Sequence, residues 1–300
     1  MGAPFQRYDP TGPELPVVVE IPHAGLEIAP PFLAPLVAPA RAVARDADLH
    51  VDALYEDAPA EGATVLVSRI SRYVIDVNRA ENDIDAEVAE GGRSDVRLQH
   101  GLVWRATSDG EPALARRLTA AELRERLDLV WRPYHRELAS IIERKLSLFG
   151  VAIVLAAHSM PSFERGRRPV HAQGTLGAPS IFARDRTGAS TGAQAGARAD
   201  VVPGTRGRKS AAGHYIDAVE SHALAQGWTV RHDDPYAGGY TTQHYGRPAD
   251  RVHVVQIELA RRLYLDEETL RPVAGFGAVR AWCRTLVARM GSTALPIAAQ

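Results

Sequence analysis

Gly150-Val151-Ala152-Ile153-Val154-Leu155-Ala156-Ala157-His158 decides how this chain folds. Glycine takes the left-handed conformation that ends a helix without steric penalty, so Gly150 predicts a stop. The uncharged run from Val151 to Ala157 fits a strand buried on both faces, the kind found in parallel sheets covered by helices. The helix that Gly150 ends begins far upstream. Thr119 and Glu122 fit a capping box, in which each side chain satisfies the other's exposed backbone donor. Leu123, Leu127, Val130, Tyr134, Leu138, Ile141 and Ile142 then fall along one face, predicting a helix from Thr119 to about Leu148. Pro133 interrupts it and predicts a kink.

The same signals recur outward from this unit. Leu15 to Ile21 reads as a buried strand ending at the turn Pro22-His23-Ala24-Gly25. Further strands are predicted at Ala63–Arg69, Tyr73–Val77, Trp228–His232 and Val252–Leu259. Helices are predicted at Asp46–Tyr55, Gly213–Ala225 and about Glu267–Met290. Pro30 to Pro39 should be irregular or broken helix, and the polar, Gly-rich stretch through Asp95 should be loop. From Ser159 to Ala212 the composition turns to Gly, Ala, Arg and Pro, which predicts a long active-site loop. No repeat or linker interrupts the chain, so residues 1–300 are expected to form one α/β domain.

Composition excludes several classes of function. The 300 residues are 45% hydrophobic with a formal net charge of -1, which gives no electrostatic case for nucleic acid or a membrane surface as partner. No stretch approaches the roughly 18 apolar residues of a membrane span, and the first residues lack a signal-peptide run; a soluble, cytoplasmic protein is expected. Cys283 is the single cysteine, so a metal site must draw on His, Asp or Glu. Lysine occurs only at Lys145 and Lys209, so nearly all positive charge is arginine, whose planar fork suits carboxylates.

Hydrolytic zinc needs three protein ligands and one open position for water. His23 and His158 each follow a buried strand at its C-terminal end, the edge where open α/β sheets bind ligands. A lone histidine in that position is usually structural; two of them, each beside a turn, suggest a pair of ligands. Asp46, Asp48 and His50 lie close together in sequence, and Asp48 is the favoured third ligand, with Asp46 free to cap a helix. Asn78-Arg79 follows an apolar run, although a surface arginine is commonly just solvated. Glu258 closes the run Val252 to Ile257, where a carboxylate is costly unless paired or functional. It is the candidate general base, or else the partner of Arg261 or Arg262. Tyr236 to Arg247 is loop-like and rich in polar recognition groups.

Taken together these segments resemble the N-formylglutamate amidohydrolase family. The resemblance spans about residues 17–268 and rests on Ile21-Pro22-His23-Ala24-Gly25, the run Asp46 to Tyr55, the run Ser71 to Arg79, and Gly101-Leu102-Val103-Trp104-Arg105. Trp131-Arg132-Pro133-Tyr134-His135, Ala157-His158-Ser159, Asp234 to Tyr240, His244 to Pro248 and Gln256-Ile257-Glu258-Leu259 complete it in order. Each segment is weak alone; their joint order is specific.

The resemblance implies a fold like the zinc-dependent exopeptidases, with a mixed, mostly parallel sheet flanked by helices. It implies one zinc ion, or another divalent metal, held by His23, Asp48 and His158, with Asp46 the fallback. It implies Glu258 as the catalytic glutamate, and Asn78 and Arg79, with Arg206, His244 and Arg247, as substrate-binding residues. The substrate would be a small molecule, N-formyl-L-glutamate or a close N-acyl amino acid, and family members often act in histidine degradation. Two departures bear on specificity. In Gly204-Thr205-Arg206-Gly207-Arg208-Lys209-Ser210-Ala211, Thr205 and Ala211 stand where the family usually has aspartate and cysteine, and Arg208-Lys209 adds charge. The stretch between Ser159 and Asp200 is also longer than usual.

Overall fold

The computed structural model describes residues 2–93, 100–164 and 196–294. Its centre is a six-stranded sheet built from β1 (Phe5–Tyr8), β2 (Val17–Ile21), β3 (Thr64–Ser68), β4 (Ala152–Met160), β5 (Val201–Gly204) and β6 (Val252–Ala260), in the order β1-β3-β2-β4-β6-β5. The four inner strands are parallel, whereas β1 and β5 pair antiparallel at the two edges. This is the mixed, mostly parallel sheet expected. Every residue of β2, β4 and β6 is buried, which explains why those strands read as continuous apolar runs.

Side-chain alternation splits the core in two. Ile153, Leu155 and Ala157 join Val17, Val19, Val255 and Ile257 in one cluster, beneath α2 (Val51–Leu54), α5 (Gly213–Leu224) and α7 (Phe276–Ala294). Ala152, Val154 and Ala156 join Val18, Leu66 and Val254 in the other, beneath α3 (Ala120–Arg126) and α4 (Arg132–Phe149). α1 (Ala40–Asp46) precedes α2, and α6 (Tyr240–Tyr245) precedes β6. The capping box of Thr119 and Glu122 is present, and Gly150 ends α4 with φ of 70°. Between α3 and α4, Leu127–Trp131 forms a π-helical turn and Pro133 falls in the first turn of α4. The wider turn absorbs the interruption that Pro133 imposes on the hydrogen-bond ladder.

Several expected elements differ. Tyr73–Val77 is a run of turns, not a strand: Val74 N bonds to Ser71 O and Asp76 N to Leu102 O, so its backbone is satisfied outside the sheet. Trp228–His232 contributes a single bridge, Val201 to Val230. The helix expected over Asp46–Tyr55 is divided between α1 and α2, with His50 left-handed at φ of 65°. Asp46 therefore ends a helix and caps none. Leu265–Asp266 and Arg271–Pro272 pair as a small hairpin, so the last helix starts later than expected, at Phe276. Of the stretch expected as a loop over 159–212, Ser159 and Met160 extend β4 and Val201–Gly204 forms β5, whereas residues 165–195 lie outside the described residues.

Candidate active site

The register of the two longest strands sets the site. β4 and β6 pair in parallel with His158 directly beside Glu258. Both lie on the face shared with Val154 and Val254, so a slip of one residue would turn both groups to the opposite face. His158 and Glu258 are within their strands, not at the ends as the sequence suggested. His23 lies two residues beyond β2, in a turn held tightly against β3: a Cβ on Gly25 would approach the Arg69 carbonyl carbon to 2.3 Å. Asp48 follows α1, and its N–H donates to the His23 carbonyl at 2.9 Å.

These three chain-distant side chains meet. The Nδ1 atoms of His23 and His158 are 3.1 Å apart, and Asp48 Oδ2 lies 3.0 Å from His158 Nδ1 and 3.5 Å from His23 Nδ1. One ligand atom from each residue falls within 4.8 Å of the others, and all three residues are buried. Asp46 does not join them; its Oδ2 accepts from the Tyr73 hydroxyl at 2.5 Å and from Ser108 N at 2.8 Å. His50 is likewise not part of the cluster.

Asp76, which the sequence reading did not single out, holds His23 from behind. Its Oδ1 is 2.7 Å from His23 Nε2, and Arg72 Nη2 and Trp104 Nε1 donate to its Oδ2 at 2.7 and 3.1 Å. An ionised carboxylate only accepts, so the proton resides on Nε2 and Nδ1 presents a lone pair to the cluster. Burial opposes ionisation of Asp76, but Arg72 and His23 outweigh it and hold the carboxyl well below its usual range. Asp48 behaves alike: burial raises it, yet the hydrogen bonds and charges of His158 and His23 bring it well below. Glu258 moves the other way, raised chiefly by burial against the opposing pull of His158.

Glu258 is oriented by its own strand. Gln256 Nε2 donates to Glu258 Oε1 at 2.9 Å, and Gln256 Oε1 accepts from Gly239 N at 2.9 Å. Asn78 Nδ2 lies 3.3 Å from His158 Nε2, and Asn78 Oδ1 accepts from Thr241 N at 3.0 Å. A Cβ on Gly239 would come within 2.3 Å of the Asn78 amide, so only glycine admits that side chain. Arg79 follows, with its carbonyl fixed by Trp131 Nε1 at 3.0 Å.

His23, Asp48, Asn78, Arg79, His158 and Glu258 all line one cavity of about 650 Å³. Arg206, His244 and Arg247 do not. Arg206 is exposed, and its Nη1 donates to Gly238 O at 3.3 Å. His244 stacks on Tyr240 at 4.9 Å, and Arg247 Nε pairs with Asp250 at 3.0 Å. The departures at 205 and 211 also fall behind the wall. Thr205 is fully buried, with its N–H on Asp233 Oδ1 at 2.6 Å, and Ala211 packs in the core.

The donor set fits a divalent cation. Two imidazole nitrogens and one carboxylate converge, one imidazole is backed by a carboxylate, and the cavity leaves a side open, as in three-ligand hydrolytic metal sites.

Comparison with known proteins agrees with this architecture. A protein of Pseudomonas aeruginosa named N-formylglutamate deformylase is 32% identical over 257 residues, covering 85% of this chain and 84% of its own length. One of Pseudomonas putida with the same name is 32% identical over 255 residues, covering 84% and 83%. The crystal structure of N-formylglutamate amidohydrolase from Ralstonia eutropha JMP134 aligns with a TM-score of 0.81 at 31% identity, covering 97% of this chain and 98% of that one. A gene product of Agrobacterium tumefaciens at 19% identity and a TM-score of 0.65 shares the fold. The profile described as N-formylglutamate amidohydrolase matches residues 15–265, and the chain belongs to that family.

Proposed function

We propose that this protein hydrolyses the formyl amide of N-formyl-L-glutamate, or a close N-acyl amino acid, to formate and the free amino acid. The observation that carries the reading is the meeting of His23, Asp48 and His158 beside Glu258 in a cavity that also holds Asn78 and Arg79. Family membership and the names of the Pseudomonas relatives support the substrate. His23, Asp48 and His158 would hold zinc, which supplies Lewis acidity toward water and the acyl oxygen.

The protein's own groups then divide the work. Glu258 takes a proton from the attacking water, which adds to the formyl carbon, and returns that proton to the departing nitrogen as the C–N bond breaks. Burial raises its pKa above the ordinary carboxylate value, which favours uptake of a proton. Asn78 and Arg79 grip a substrate carboxylate and fix the amide against Glu258. Asp76 keeps His23 in the tautomer that presents Nδ1.

Incubating the zinc-supplied protein with N-formyl-L-glutamate, N-formimino-L-glutamate and N-acetyl-L-glutamate tests the reading. Formate release from the first is expected. Absence of release from N-formyl-L-glutamate together with turnover of another member of the series would reassign the substrate.

A further inference from the structure

Five arginines line the cavity, Arg45, Arg72, Arg79, Arg198 and Arg261, and three of them are committed to the protein itself. Arg45 pairs with Asp109, and Arg72 forks Asp76 through Nε and Nη2. Arg261 donates to the carbonyls of Arg45 and Ala47 and to the Ser159 hydroxyl. Arg79 and Arg198 differ. The Nε of each is buried and has no acceptor among the described residues. A buried donor left unmade carries its full desolvation penalty, so an orphan of this kind in a cavity marks where a ligand acceptor belongs.

Arg198 is braced for that purpose. Its Nη1 donates to the Pro161 carbonyl at 3.2 Å and lies 3.1 Å from the Tyr236 hydroxyl, and its guanidinium sits 5.4 Å from the Tyr236 ring centre. Those contacts use one nitrogen and leave the Nε–Nη2 edge, the side of the fork whose two parallel N–H groups match a carboxylate. Two acids of the same cavity are already engaged elsewhere: Glu267 Oε1 accepts from Ser162 N at 3.0 Å, and Asp109 is taken by Arg45.

We infer that Arg198 is a second carboxylate-binding residue, which grips the side-chain carboxylate of an N-acyl dicarboxylic amino acid while Asn78 and Arg79 hold its α-carboxylate. The inference rests on the hydrolase reading above and names its substrate class. Asn78 touches His158, so the carboxylate held there belongs to the carbon bearing the reacting amide. The remaining carboxylate then extends toward the wall formed by Pro161 and Tyr236. A monoacid would leave the Arg198 fork unpaired in the cavity, which is how a site built for a polar group rejects the analogue lacking it.

Binding of glutarate and of butyrate to the wild type, Arg198→Gln and Arg198→Lys, measured by calorimetry, tests this without reference to turnover. Thermal melting of the three proteins verifies folding. The wild type should bind glutarate more tightly than butyrate. Arg198→Gln should weaken glutarate by about tenfold or more and leave butyrate unchanged, with Arg198→Lys intermediate because it keeps the charge but loses the fork. Equal glutarate affinity in wild type and Arg198→Gln, or no glutarate binding by the folded wild type, overturns the assignment. Selective diacid binding without hydrolysis of any N-acyl glutamate would sink the hydrolase reading and leave the subsite standing.

Discussion

Asp76 Oδ1 approaches His23 Nε2 to 2.7 Å, and neither residue is accessible beyond a few per cent of its surface. The contact ties a metal-ligand candidate to Arg72 and Trp104 through one carboxylate. Asp76→Asn removes the charge that both His23 and Arg72 face. Metal affinity should fall by about 10- to 100-fold, read by competition with a chromophoric chelator. Stability should fall by roughly 3–5 kcal/mol, because Arg72 is left buried without its partner. Unchanged metal affinity in the folded variant would show that the contact does not orient His23.

Glu258 separates chemistry from metal binding. Glu258→Gln preserves shape and the reach to Gln256 but cannot take a proton. The variant should keep the metal content of the wild type while turnover falls by about 10²- to 10⁴-fold. His23→Ala and His158→Ala should lose the metal itself. Metal analysis alongside steady-state rates distinguishes the two outcomes, and near wild-type turnover in Glu258→Gln would end its role as general base.

The capping box gives a stability prediction remote from the site. Thr119 Oγ1 accepts from Glu122 N at 3.2 Å, and Glu122 Oε2 accepts from Thr119 N at 2.8 Å. Thr119→Ala should cost about 1 kcal/mol in urea unfolding without altering activity. The hydrogen bond from Arg116 and then the Thr119 backbone N–H push Glu122 down to about 2 from its ordinary 4.5. Its contribution is therefore complete above pH 4.5 and is lost as the pH falls toward 2, so wild type and Glu122→Gln should converge in stability across that window.

Much of this was legible in the sequence, and the pattern of what was not is physical. β2, β4 and β6 announce themselves because inner parallel strands are apolar on both faces. β1 and β5 are short edge strands, one largely exposed and one containing Pro203, and they give almost no such signal. Tyr73, Val74, Ile75 and Val77 are buried as a strand would be, yet they cover the core through turns, a distinction that apolar pattern alone cannot draw. His23, Asp48 and His158 could be picked out by residue type and their place after strands or near a helix. Asp76 could not, because its importance lies in a neighbour 53 positions away. Arg206 and Arg247 carried the right chemistry in sequence, but they bond to Gly238 O and Asp250 and do not line the cavity, whereas Arg198 does.

His135 carries the acid-stability prediction. Its imidazole is buried, with Nε2 2.9 Å from the Val77 carbonyl and Nδ1 3.0 Å from the Tyr245 hydroxyl. Burial, opposed in part by the Val77 hydrogen bond, pushes it down to about 4 from its ordinary 6.5, and the facing His244 pushes the same way. The folded protein thus keeps His135 neutral where the unfolded chain would protonate it. Between pH 6.5 and about 4 the unfolded state binds the extra proton, so stability declines as the pH falls through that window and levels off below it. Gln can still donate to the Val77 carbonyl and does not titrate. Urea midpoints at pH 7 and pH 5 should therefore drop less in His135→Gln than in wild type, even if the variant begins less stable. Trp131, one helical turn earlier, holds the Arg79 carbonyl, so the pair fixes the backbone on both sides of Asn78. His135→Gln should accordingly preserve substrate affinity, whereas His135→Ala should weaken it. Identical pH dependence in wild type and His135→Gln would place the titrating group elsewhere.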